Sequence, residues 1–166
     1  MSMTHYMELL ATNQPWNLFL FMAIPVILAE TVAVTELYLL FTRSESGKVK
    51  TLSRVAGILV GIYFVGVIAY LIPNAVIPIT RNGEWRTLID VIAVGFYLLS
   101  GIPLILIALQ ELRLIDRTAS SEGRLIRHAV YVAAFLVLAH IAMIAGMLSP
   151  EILGYSAVMP AMEHMH

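Results

Sequence analysis

Cysteine is absent from the 166 residues, which excludes disulfide frameworks, thiolate nucleophiles, iron–sulfur clusters and Cys-ligated zinc. Charge is scarce too: Asp, Glu, Lys and Arg make up 13% of the chain, and ten cations against eleven acids leave a net charge of −1. A nucleic-acid partner is excluded, because no basic surface exists to follow a phosphate backbone. Also missing are a glycine-rich phosphate loop, a Ser-His-Asp order, an HExxH pair and any internal repeat. No nucleophile and base can be placed together, which argues against an enzyme. The chain is instead 60% hydrophobic with a mean hydropathy of +0.86, the composition of an integral membrane protein.

Four apolar stretches, near 16–41, 55–73, 88–110 and 126–148, reach the roughly 20 helical residues needed to cross about 30 Å of hydrocarbon. No Lys or Arg precedes the first, so it lacks the charged start of a cleavable signal and is expected to remain in the mature protein. Pro15 before Trp16 suits a helix entry, and Trp16, Tyr38, Trp85 and Tyr155 fall near the expected interfaces. Eight of the ten cations lie in two connections: Arg43, Lys48, Lys50 and Arg54 after the first span, and Arg113, Arg117, Arg124 and Arg127 after the third. The positive-inside rule then places both termini outside the cytoplasm. The expectation is an all-α integral membrane protein, an up-down-up-down four-helix bundle forming one domain over 1–166 with a Met/His-rich outer tail at 150–166. A short multi-pass chain of this kind fits a bacterial inner membrane. Pro25 and Pro103 should open a carbonyl or kink the first and third spans. Gly57 and Gly61 form a small-xxx-small pair that lets the second span approach a neighbour, whether within the chain, in another membrane subunit or in a second copy.

Ionisable groups inside hydrocarbon cost about 2.5 to 3.5 kcal/mol each at the centre and need a partner or a role. The first span carries Glu30 and Glu36, about 120° apart around the helix, and both could face an interior flanked by two helices. The fourth carries His128 and His140. Counting the rise brings His128 level with Glu36 and sets His140 above Glu30, so a Glu36–His128 pair is expected if the first and fourth spans are neighbours. Snorkelling of both groups to the interface is the alternative. Asp90 is most simply a first-turn acid favoured by the helix dipole.

Methionine and histidine concentrate at the outer side: Met1, Met3, Met7, Met159, Met162 and Met165 belong to the tails, with His5, His164 and His166. Thioether and imidazole ligands without thiolate suit copper. His140, Met143 and Met147 form one stripe leading toward the tail, so a metal site is expected from these three with Glu30, His5, Met162, His164 and His166. Core filling and adventitious metal binding are the bland alternatives. Haem is the poorer fit: both membrane histidines lie on one helix, about 18 Å apart, and cannot sandwich one ring, which leaves single-His ligation or a His5–His140 pair formed by an N-terminal segment folded back into the outer leaflet. Three functions therefore stand open. They are metal handling or electron transfer, a proton or cation pathway through Glu30, Glu36, His128 and His140, and an accessory subunit of a larger membrane complex.

Overall fold

A computed structural model of the chain describes residues 3–42, 47–118 and 120–155, and among them every regular element is helical. A short helix α1 (His5–Ala11) precedes four long ones: α2 (Trp16–Thr42), α3 (Lys48–Asn82), α4 (Leu88–Glu111) and α5 (Ser121–Met147). All four are long and apolar enough to span a membrane, and much of their apolar surface faces outward, including Ile27, Val34, Ile62, Val137 and Ile144. By helix length and composition the chain is a small polytopic membrane protein.

The first span occupies its expected place, and its prolines explain its irregularity. Pro25 has no N–H to donate to Phe21, four residues back, and the helix relaxes into a π-helical segment over Phe19–Ala23. The Tyr97 hydroxyl donates to the Phe21 carbonyl at 2.7 Å and the Tyr63 hydroxyl to the Leu20 carbonyl at 2.8 Å. Two tyrosines from neighbouring helices thus supply donors to carbonyls that hydrocarbon could not satisfy. The second span runs further than expected at both ends. Pro73 does not stop it, because the backbone absorbs the lost donor in another π-helical stretch, Ile72–Val76, and continues to Asn82. It ends where Gly83 takes a left-handed φ of 67°, a conformation glycine adopts without steric cost. The fourth span likewise starts earlier than expected, with Ser120 capping the amide of Gly123.

Helix α4 packs against both α3 and α5, α2 lies mainly on α3, and α2 meets α5 only sparsely. Val32, Val60, Phe64, Leu104 and Ile107 are almost fully buried in the resulting core. Gly57 and Gly61 face α4. A Cβ on Gly61 would meet the Ala108 Cβ and come within 2.7 Å of the Leu104 carbonyl, and one on Gly57 would lie 2.9 Å from Ile107. The close approach expected of this pair is therefore made inside the chain, to α4, and that face is not free for a second copy or another subunit. At the end of the bundle where α2 begins, α1 packs across α4 and α5. Thr4 donates to the Gly146 carbonyl at 2.9 Å, and the Tyr6 ring occupies the space that a side chain at Gly146 would need.

Candidate functional site

Near the opposite end of the bundle, the arginine-rich end, four helices bring one charged group each to a common point. His128 lies in the second turn of α5, Glu36 in the last turns of α2, Glu111 at the C-terminus of α4 and Lys50 in the first turn of α3. His128 Nδ1 stands 2.9 Å from Glu36 Oε2, and Nε2 stands 3.4 Å from Glu111 Oε1. Lys50 Nζ lies 3.9 Å from the same Glu111 oxygen. Glu36 and His128 are both 2% exposed. The Glu36–His128 pairing expected from depth alone is present, and snorkelling to the interface is overturned for both groups. Glu111 escaped the sequence argument because it sits just beyond the expected third span, where an acid reads as an ordinary loop residue. Its level with Glu36 and His128 was the available signal.

The contact is one of charges without directed hydrogen bonds. Glu36 Oε2 and both ring nitrogens of His128 are within ion-pair range, yet neither they nor Glu36 Oε1 make an aligned hydrogen bond with any described group. Ser53 Oγ and Gln110 Oε1, at the same end, are likewise buried without a hydrogen bond. Buried polar atoms in this condition are costly and uncommon. Gly57 lies beside the cluster: a Cβ there would make ordinary contact with Glu111 Cγ at 3.6 Å and His128 Nε2 at 4.0 Å, and would be crowded only by Ile107 at 2.9 Å.

A cavity of about 750 Å³ opens beside this cluster, with His128, Glu111 and Lys50 in its lining. Arg113 reaches it from a residue of left-handed conformation, φ 57°, just past the end of α4. The turn there is closed by a bond from the Leu114 amide to the Leu109 carbonyl at 2.9 Å, the geometry in which glycine usually sits. Gln110 Nε2 donates to the Arg124 carbonyl at 2.7 Å and ties the end of α4 to the start of α5.

At the other end, Asp90 is fully buried. Its Oδ1 accepts from the His5 backbone amide at 2.6 Å and its Oδ2 from the His5 ring Nδ1 at 2.5 Å. The expectation of a simple dipole-compensating acid is corrected: Asp90 holds the N-terminal segment. Trp85 stacks edge-on to the His5 ring, and Arg86 binds the Glu8 carboxylate at 2.6 Å and the Met3 carbonyl. Tyr6, in α1, has its hydroxyl pushed up to about 12 by burial.

The remaining expected site residues are dispersed. Glu30 faces outward from α2, on the opposite side from Glu36. His140 also faces outward, its ring Nδ1 donating to the Leu136 carbonyl of its own helix at 2.6 Å. Met143 and Met147 continue that exposed stripe. His5 belongs to Asp90. The interior chain of four ionisable groups is therefore not formed, because the 120° between Glu30 and Glu36 carries one of them out of the bundle. Among the described residues no group of three or more His, Asp or Glu side chains could hold a metal ion. In the His128 cluster the two carboxylates face opposite ring nitrogens and do not converge on one point. Met162, His164 and His166 lie outside the described residues.

No curated protein and no solved structure matches this chain. A family does, over residues 1–162 and hence across the spans, the buried histidine cluster and the Asp90 site: the chain belongs to the family of unknown function DUF6803.

Proposed function

We propose that this protein exchanges a proton at the Glu36–His128–Glu111 cluster, as the proton-handling centre of a small multi-pass membrane protein. The observation that supports it is a 2%-exposed imidazole held between two carboxylates with Lys50 adjoining one of them. With all four groups ionised the cluster is neutral. Loss of one proton would leave a net charge of −1 among groups held within 4 Å of one another, so the proton is shared by the cluster and belongs to no single residue. The cavity gives it access from the arginine-rich end. The Lys and Arg bias supports a cytoplasmic position for that end, with the helices crossing up-down-up-down and both termini outside, as in a bacterial inner membrane. Proteoliposomes with an entrapped pH dye test the proposal. Dissipation of an imposed pH gradient should fall at least tenfold in Glu36→Gln and in His128→Gln; equal rates in wild type, both variants and protein-free vesicles would overturn it.

A second reading, a subunit of a larger membrane assembly, is favoured by Glu30 and His140. Both face outward from spanning helices, where an ionisable side chain needs a partner. Native mass spectrometry from mild detergent should then find a complex that Glu30→Leu dissociates, and a monomer in both proteins would eliminate it.

A further inference from the structure

We infer that the cavity at the arginine-rich end is a binding site for a phosphate group that keeps a hydroxyl, hydrogen phosphate or the singly protonated phosphate of a monoester. Four cations line it, Lys50, Arg54, Arg113 and Arg124, against two carboxylates, Glu111 and Glu122. The surplus of two positive charges, before His128 is counted, matches a dianion. The first turns of α3 and α5 contribute their amides to the same end, and helix N-termini favour anions. At about 750 Å³ the space exceeds what bare phosphate fills and lies within the range of small-ligand sites.

Two buried side chains in the lining narrow the chemistry. His128 Nε2 and Gln110 Oε1 are without a hydrogen bond, on residues 2% and 5% exposed. A protonated imidazole nitrogen donates, whereas an amide oxygen only accepts. The ligand that satisfies both carries an anionic oxygen and a hydroxyl, as hydrogen phosphate does; sulfate at neutral pH has no hydrogen to offer Gln110. The titratable and charged groups that face His128 or line the cavity with it are Glu36 on α2, Lys50 and Arg54 on α3, Glu111 and Arg113 at the end of α4, and Glu122 and Arg124 on α5. An anion added to this set favours the imidazolium, so phosphate binding should bring a proton with it. This last step rests on the proton-exchange proposal; the site itself does not.

Calorimetric titration of inorganic phosphate into the full chain, in phosphatidylcholine nanodiscs, tests the inference. Saturable binding is expected, at least tenfold tighter than sulfate. It should weaken tenfold or more in Arg54→Gln, recover in Arg54→Lys, and lose its preference over sulfate in Gln110→Leu. Thermal melts identify any variant that fails to fold. Repeating the titration in nanodiscs containing phosphatidic acid separates the sources: competition identifies a lipid headgroup, and unchanged binding identifies a soluble phosphate. Absence of saturable binding to either source, or equal phosphate and sulfate affinities untouched by Arg54→Gln, would overturn the site. Titrations in buffers of different ionisation enthalpy report proton uptake. Binding without uptake would count against the proton-exchange proposal and leave the phosphate site standing.

Discussion

The two ends of this bundle each hold a histidine against a buried carboxylate, and they differ in whether the polar atoms are used up. At Asp90 both carboxylate oxygens accept from His5, one from the main chain and one from the ring. At His128 both ring nitrogens lie near carboxylates, but neither makes an aligned bond, and the cluster borders a cavity. The same pair of chemical groups makes a fastening at one end and a cluster with unfilled hydrogen-bonding positions at the other. A carboxylate whose acceptors are filled rigidifies the segment it binds, whereas a charged cluster with unfilled positions can change its protonation or its partner.

This contrast can be broken experimentally. The largest effect should come from His128→Ala, which leaves two buried carboxylates without the imidazole between them and should destabilise the bundle by about 3 to 5 kcal/mol. Replacing Glu36, Glu111 and His128 together by leucine should recover most of that loss, as judged by unfolding in mixed detergent. A triple variant as unstable as the single one would mean that the cluster is structural, like the Asp90 end.

A somewhat smaller effect concerns alkaline pH at the fastened end. Because the folded protein keeps the Tyr6 hydroxyl protonated to about pH 12, the unfolded chain releases that proton first, from pH 10 upward. The stabilisation is therefore complete below pH 10 and is lost as pH rises toward 12, by about 2 to 3 kcal/mol. Tyr6→Phe should flatten the melting temperature over that interval, and an unchanged slope would show that α1 is already detached.

The smallest effect is local. Asp90→Asn keeps acceptor capacity but removes the charge, and should cost about 2 kcal/mol. Hydrogen exchange in residues 5–11 should quicken roughly 30-fold, while amides around His128 stay protected. Loss of protection at both ends would show that the two sites are coupled.

How far the sequence carried follows from what each signal measures. Hydropathy located four spans because the cost of crossing hydrocarbon is a property of composition. Rise per residue paired Glu36 with His128 because depth along an axis needs no knowledge of packing. Azimuth does need it: these helices are apolar on nearly every side, so no polar face marks which way Glu30 or His140 points. Helix packing, with Gly57 and Gly61 drawn onto α4, decided that Glu36 points in and Glu30 out. The Asp90–His5 contact joins residues 85 positions apart through an N-terminal segment with no hydropathy signature. The second span outran its hydropathy bounds because a π-helical stretch at Ile72–Val76 absorbs the donor that Pro73 lacks.

The depth of the buried histidine also fixes its electrical position. Glu36 lies six residues before the end of α2 at Thr42, and His128 seven after the start of α5 at Ser121, or about 10 Å of rise from either helix end. If the proposed proton exchange operates, a proton arriving from the arginine-rich end crosses only a minor part of the membrane field to reach the cluster, and most of the transmembrane potential falls beyond it.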